Sequence, residues 1–105
     1  MPNIQLSYLY RNSSNYKNFG SVVFANPSNI DLSIVEKHIK SCLIDGCWFY
    51  VQGWQLPDLR FADINDNDPT WHEFESLEYT EQPANSVIML AEFITAIEKY
   101  RLRIA

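Results

Sequence analysis

Apolar residues occupy every second position from Ile4 to Tyr10, which is the two-residue period of a strand with one buried face. A polar cluster at residues 11–15 follows this run and is typical of a turn. The run FGSVVFA at residues 19–25 then predicts a returning strand. The first quarter of the chain is therefore predicted to form an antiparallel hairpin.

Two later segments repeat apolar residues at helical spacing. In residues 31–43 the apolar positions Val35, Ile39 and Cys42 recur every three or four residues, and Asp45-Gly46 is expected to end the helix. A second helix is predicted over residues 85–101, where an apolar stripe runs from Val87 to Tyr100. Both helices are amphipathic, so each is expected to cover one face of a sheet.

The segment between the helices carries further strand signals. The run CWFYVQ at residues 47–52 predicts a central strand, and residues 56–62, with an early proline, predict a weaker strand or an extended segment. Residues 63–69 are expected to form a loop. Residues 70–79 predict a strand whose two faces both mix apolar and charged side chains, which indicates an edge strand or a twisted one.

This order of elements predicts an α+β fold in a single domain spanning residues 1–105. We expect a mostly antiparallel sheet of four to five strands with both helices packed on one face. No apolar run is long enough to span a bilayer, and the start of the chain has no secretory pattern, so a cytoplasmic location without membrane contact is expected. Cys42 and Cys47 are accordingly predicted to be reduced, small apolar residues of the core.

Acidic residues are concentrated in one part of the chain. The formal net charge is −5, and residues 58–81 hold eight acids against the single base Arg60, or −7, which leaves +2 elsewhere. A segment of this charge would repel phosphate backbones, so nucleic acid is not an expected partner. A basic protein surface or a hard cation would suit the segment better. We expect these acids to form one outward-facing surface; the plainer alternative is that they are the solvated side of the sheet.

Metal and catalytic patterns are incomplete. Asp63, Asn65 and Asn67 match the first alternating ligands of a calcium loop, but the glycine and the bidentate glutamate of that loop are missing. Histidines and cysteines do not show the close ligand pairs of a zinc site. His72 with Glu73 could supply acid–base groups, but no nucleophile is tied to them. No catalytic residue, metal ligand or cofactor is assigned, and the sequence favours a non-enzymatic protein while leaving enzymatic activity open.

Binding through an acidic surface with aromatic side chains has more support. Trp54, beside a glycine, is predicted to be an exposed anchor, since tryptophan and tyrosine contribute disproportionately at interfaces. The hairpin tip is expected to form a second surface of opposite sign. The predicted binding residues are Arg11, Tyr16, Trp54, Asp66, Asp68, Trp71, His72, Glu73 and Glu75.

Several short motifs, taken together, resemble one family. They are YLYR at residues 8–11, NYK at 15–17, DG at 45–46, LPDL at 56–59 and WHEF at 71–74. This pattern resembles a family of small bacterial proteins for which no activity is established. The resemblance covers residues 4–79, with a departure at Cys47 and Trp48, and implies a bacterial, cytosolic origin but no mechanism.

The sequence thus predicts a non-catalytic protein-interaction module of the immunity, inhibitor or adaptor type, with a protein partner that is basic. Two alternatives remain open at this stage. One is a small enzyme or metal-binding protein that uses His72 with Glu73 or the loop 63–68. The other is a structural homodimer, since surfaces of opposite sign on one small domain permit self-association.

Overall fold

The α+β prediction is confirmed: a four-stranded antiparallel sheet carries its helices on one face. A computed structural model describes residues 2–62 and 66–104. The strand order is β2-β1-β4-β3. In chain order the elements are β1 (Asn3–Arg11), β2 (Lys17–Phe24), α1 (Leu32–Cys42), β3 (Trp48–Phe49), α2 (Val51–Trp54), β4 (His72–Thr80) and α3 (Leu90–Ile104).

The core lies between the sheet and the helices. Strand β1 is central, and its even-numbered residues from Ile4 to Tyr8 are buried against α1 and α3. The predicted hairpin is confirmed, with Ile4 opposite Phe24 and Arg11 opposite Lys17. The opposite face of the sheet carries no helix, and we call it the open face. None of the helices in the described part of the chain is long and apolar enough to cross a membrane.

The mixed faces of β4 have a local cause, which is a bulge at Glu75. Ser7 pairs with Ser76, but the next residue, Tyr8, pairs with Phe74, so Glu75 has no opposite residue on β1. A bulge of this kind reverses which positions face the core. Phe74 therefore packs on the core on one side of the bulge and Leu77 on the other, although their spacing is odd.

Helix α1 ends differently from the sequence-based expectation. Its N-cap is Asp31, whose carboxylate accepts a hydrogen bond from the Ser33 N–H at 3.3 Å. The helix stops at Cys42, with Leu43 in an extended conformation as the C-cap. The left-handed residues Asp45 (φ 52°) and Gly46 (φ 72°) instead form the turn that leads into β3.

The prediction of a central strand over residues 47–52 is wrong. Only Trp48 and Phe49 are in strand conformation, at the edge of the sheet, and the chain then folds into the single helical turn α2. This turn places Trp54 in the core, where 1% of its surface is exposed. The Trp54 ring stacks on Phe49 with centroids 4.3 Å apart, and Phe93 packs edge-on against it at 5.8 Å. The predicted exposure of Trp54 is therefore wrong.

Residues 56–62, which we call the strap, cross the helix-bearing side of the sheet without regular secondary structure. The Tyr8 hydroxyl donates to the Pro57 carbonyl at 2.7 Å, and the Asn18 amide donates to the Leu59 carbonyl at 3.0 Å. The Leu59 side chain lies so close to β2 that a Cβ on Gly20 would be 2.9 Å from its methyl groups. The strap is thus fixed by polar contacts and by close packing.

Candidate binding cleft

A cleft of about 610 Å³ lies at one end of the sheet, where β1 ends and β4 begins. Three segments line the cleft: the β1–β2 turn, strand β3 and the loop before β4. Since Leu9 pairs with Glu73 and Trp48 also pairs with Glu73, these side chains belong to the open face. The lining residues are Arg11, Asn12, Ser13, Trp48, Asn67, Asp68, Pro69, Thr70, Trp71 and Glu73.

A bidentate ion pair between Arg11 and Glu73 forms the floor of the cleft. The Arg11 Nε donates to Glu73 Oε2 at 2.8 Å, and the Nη2 donates to Oε1 at 3.3 Å. The Nη1 donates to Asn15 Oδ1 at 2.6 Å. Because the Glu73 carboxylate accepts these hydrogen bonds, the pKa of Arg11 is raised above its ordinary value. The guanidinium is therefore held by groups of the protein, and it neutralises Glu73.

Asp68 joins the loop before β4 to the β1–β2 turn. Its Oδ1 accepts hydrogen bonds from the Ser13 N–H at 2.9 Å and from the Ser13 hydroxyl at 2.7 Å. One residue further on, the Pro69 carbonyl accepts a hydrogen bond from the buried Tyr10 hydroxyl at 2.7 Å. These contacts bridge about sixty residues of sequence and give the cleft a defined wall.

Two tryptophans form the apolar side of the cleft. The rings of Trp48 and Trp71 lie with centroids 5.7 Å apart and tilted by 47°. Trp71 keeps 38% of its surface exposed, and Trp48 is half-buried. An indole pair at the surface offers a large apolar area together with polar N–H groups, a combination that is enriched in binding sites.

Four of the nine predicted binding residues meet in this cleft: Arg11, Asp68, Trp71 and Glu73. Tyr16 is exposed at the tip of the hairpin, and Asp66 and Glu75 are also exposed, but none of the three lines the cleft. Trp54 and His72 are buried on the other side of the sheet. The structure therefore brings together part of the predicted set.

Some acids of the expected acidic surface are paired with arginines in the structure. Asp58 forms an ion pair with Arg60 at 2.7 Å, and hydrogen bonding from that guanidinium lowers the pKa of Asp58. Glu73 is paired with Arg11, as described above. Asp63 lies outside the described residues. Two acids of the segment are thus compensated by arginines, and the expectation of one outward-facing acidic surface stays a prediction.

His72 lies under the strap, completely buried among the rings of Tyr8, Tyr10 and Phe49. Its Nε2 accepts a hydrogen bond from the Leu59 N–H at 3.0 Å, so the proton of the neutral ring lies on Nδ1. That Nδ1 has no hydrogen-bond partner. Burial lowers the pKa of His72, and the Asp58 carboxylate opposes this shift.

His72 and Glu73 point to opposite faces of the sheet, since they are consecutive residues of a strand. The arrangement in which they act on one substrate is therefore not formed. Within the described ranges no three histidine, cysteine or carboxylate side chains are grouped as metal ligands.

The two cysteines occupy different environments. Cys42 is buried in the core, as predicted, and burial raises the pKa of its thiol. Cys47 is exposed in the turn before β3, so its predicted place in the core is wrong. His38, the other histidine, contacts Glu98 of α3.

Six cleft residues lie outside the predicted binding set: Asn12, Ser13, Trp48, Asn67, Pro69 and Thr70. Because CWFYVQ predicts a central strand, Trp48 is not among the predicted binding residues. In the structure β3 is an edge strand, and Trp48 lies on the open face opposite Glu73. Asn12 and Ser13 look like any polar turn, and only their contact with residues far along the chain places them in the cleft.

No protein-family model, curated protein or solved structure matches this chain. The resemblance to a bacterial family therefore stays a prediction.

Proposed function

We propose that this protein is a non-catalytic interaction module of the immunity, inhibitor or adaptor type, which binds a basic segment of a partner protein in the cleft. The observation that carries the proposal is the pair of partly exposed tryptophans, Trp48 and Trp71, beside carboxylates on the open face. We place the module in the cytoplasm of a bacterium as part of this proposal, in agreement with its two unbridged cysteines.

The charge around the cleft supports a cationic ligand. The lining holds two carboxylates, those of Asp68 and Glu73, and one cation, Arg11, so its formal charge is −1. Asp66 before the cleft and Glu75 beyond it are exposed and add two more. A positively charged side chain would be attracted to this end of the sheet, whereas a phosphate or a second carboxylate would be repelled.

The tryptophans determine how such a side chain would be held. A guanidinium or ammonium group over an indole face gains about 0.5–1 kcal/mol at an exposed site and about 2 kcal/mol when water is excluded. Arginine also stacks its planar group on aromatic rings, so we expect arginine to be preferred over lysine. The floor built by Arg11 and Glu73 is already satisfied and therefore serves as a rigid base.

The environment of His72 supports a non-catalytic function. The imidazole is covered by the strap and its pKa is lowered, so it would have to lose its contact with Leu59 before it could meet a substrate. Glu73, the carboxylate next to it in sequence, is committed to Arg11. Neither group is arranged as an acid or base toward the cleft.

A peptide titration tests the proposal. The probe is a short uncharged glycine-serine peptide carrying one central arginine, compared with the same peptide carrying citrulline, which keeps the shape and removes the charge. We expect the arginine peptide to shift the indole N–H signals of Trp48 and Trp71 in NMR spectra, but not that of the buried Trp54. We expect the citrulline peptide to bind at least tenfold more weakly.

Matched variants connect the binding to the cleft. Trp71→Ala is expected to weaken binding of the arginine peptide tenfold or more, whereas Phe19→Ala, an exposed aromatic of the open face outside the cleft, should leave it within twofold. Glu75→Gln should weaken binding more than Glu81→Gln, which lies beyond the far end of β4. Equal binding of the arginine and citrulline peptides, or an unchanged affinity in Trp71→Ala, would overturn the proposal.

A further inference from the structure

Strand β2 presents a free edge. The backbone of Val23 faces away from β1, since its N–H donates to Asn85 Oδ1 at 2.8 Å and its carbonyl accepts from the Asn85 N–H at 3.0 Å. Successive residues of an antiparallel strand alternate in direction, so Ser21, Phe19 and Lys17 also turn their backbone groups away from β1. Within the described residues, no strand or loop backbone pairs with these three.

Apolar side chains are exposed along the same edge. Phe19, on the open face, has 61% of its surface exposed, and Tyr16 at the start of the strand has 69%. Val87, in the segment that covers Val23, is fully exposed at 101%. An uncovered edge with apolar side chains is a site for pairing with another strand.

The other edge of the sheet, formed by β3 and β4, is protected against such pairing. Strand β3 covers only the first two residues of β4, through the pairs Phe49–His72 and Trp48–Glu73. The remainder of β4 carries the exposed acids Glu75 and Glu78 and a bulge, both of which disfavour strand addition. Strand β2 has only Lys17 in this role.

We propose that the protein forms a two-fold symmetric dimer in which the β2 strands of two copies pair antiparallel. The two four-stranded sheets thereby become one eight-stranded sheet. A second copy fits because the free edge is complementary to itself. With the symmetry axis at Phe19, Phe19 lies opposite Phe19 of the second copy, and Lys17 lies opposite Ser21. About six backbone hydrogen bonds result, with no like charges directly opposite.

Other registers satisfy fewer groups. An axis at Ser21 would place Phe19 opposite Val23, whose backbone is already bonded to Asn85. An axis at Lys17 would place Phe19 beside Asn15, in the left-handed turn of the hairpin (φ 67°). The axis at Phe19 is the one that uses all three outward-facing residues.

A groove beside the edge supports the same register. It has a volume of about 320 Å³, lies next to β2, and is lined by Ser21, Val22, Gln55, Pro57, Ser86 and Val87, among others. With the axis at Phe19, Tyr16 of one copy lies opposite Val22 of the other. The exposed phenol ring would therefore lie over the groove and cover Val87, which adds apolar area to the strand pairing.

Light scattering at increasing protein concentration tests the dimer. We expect the mass to rise from about one chain to two, and Phe19→Glu to raise the dissociation constant at least tenfold, since the axis places the new carboxylates against each other. Gln52→Glu adds the same charge at an exposed residue away from β2 and should have no effect. Circular dichroism checks that each variant is folded.

Cysteine cross-linking tests the register, in a Cys47→Ser background that removes the exposed thiol. Phe19→Cys should form a disulfide-linked dimer, because opposed residues of a hydrogen-bonded pair have Cα atoms about 5.5 Å apart. Lys17→Cys alone should not, because its two copies would be about 14 Å apart. A mixture of Lys17→Cys and Ser21→Cys chains should cross-link as heterodimers.

These outcomes decide the inference. Cross-linking at position 19 and in the mixed 17–21 pair, together with dissociation by Phe19→Glu, supports it. A monomer at all concentrations, a dimer that Phe19→Glu leaves intact, or cross-linking of Lys17→Cys as fast as Phe19→Cys overturns it. The result does not depend on the cleft, since peptide binding is measured on the wild-type chain and on Trp71→Ala.

Discussion

Trp54 and Trp71 form a natural pair for testing how the chain uses its tryptophans. Trp54 is 1% exposed and contacts Phe49 and Phe93, whereas Trp71 is 38% exposed and contacts Trp48. Removing a fully buried aromatic side chain typically costs about 3–5 kcal/mol. The contact between two aromatic rings contributes about 0.5–1.5 kcal/mol beyond the area that it buries, and Trp71 buries less area than Trp54. We therefore expect Trp54→Ala to destabilise the fold at least twice as much as Trp71→Ala.

The size of the effect sets the assay. A domain of 105 residues has a free energy of unfolding of about 5–15 kcal/mol, so Trp54→Ala removes a large part of it. With a urea dependence of about 1–3 kcal/mol per molar, a loss of about 3–5 kcal/mol lowers the midpoint by roughly 1–5 M. Unfolding should be followed by far-ultraviolet circular dichroism, because both substitutions alter the fluorescence.

The reverse ranking is the outcome to look for. If Trp54→Ala shifted the midpoint by less than Trp71→Ala, the packing of α2 against α3 described above would be wrong. The sequence-based interpretation of Trp54 as an exposed anchor would then return. Peptide binding offers a second check, since Trp54→Ala that remains folded in the absence of urea should bind the arginine peptide almost as well as wild type.

Two further predictions concern His72 and Gly53. Because the pKa of His72 is lowered in the folded state, the unfolded chain takes up more protons as the pH falls below about 6.5, and the free energy of unfolding should decrease there. The urea midpoint of His72→Gln should therefore decrease less than that of wild type between pH 7.5 and 5.5. An equal decrease in both proteins would contradict this prediction. A Cβ on Gly53 would lie 2.3 Å from the Tyr100 ring, so Gly53→Ala should lower the free energy of unfolding by about 1–3 kcal/mol. In a double-mutant cycle, the same substitution should be less destabilising in a Tyr100→Ala background. Additive effects of the two substitutions would show that the residues do not interact.

The parts of the fold that the sequence predicts are those governed by local periodicity. The alternation from Ile4 to Tyr10 is kept in β1 because one side of this central strand faces the helices throughout. The apolar spacing of Val35, Ile39 and Cys42 likewise survives in α1. In both segments the same face of the element points to the core along its whole length, so the apolar positions follow the period of the strand or helix.

Prediction fails where the chain changes conformation within a hydrophobic run. Residues 48–54 pass from strand to a helical turn without a polar break, so the position of each aromatic side chain cannot be read from alternation. The bulge at Glu75 has the same effect within β4, and no glycine or proline marks it. Pairing at long range is a third cause, since Glu73 is neutralised by Arg11, sixty-two residues away.

Because the helices pack on one face of the sheet, pairing of two copies through the β2 edge would leave both open faces on the same side of the joined sheet. Two copies related by an axis perpendicular to the strands would then direct both clefts toward the same partner surface. A ligand with two suitably spaced arginines could occupy both at once, and such bivalent contact can strengthen binding by about 10²–10⁴ over a single site. Weak recognition by each small cleft would then be enough for selective capture of a partner with a repeated basic motif.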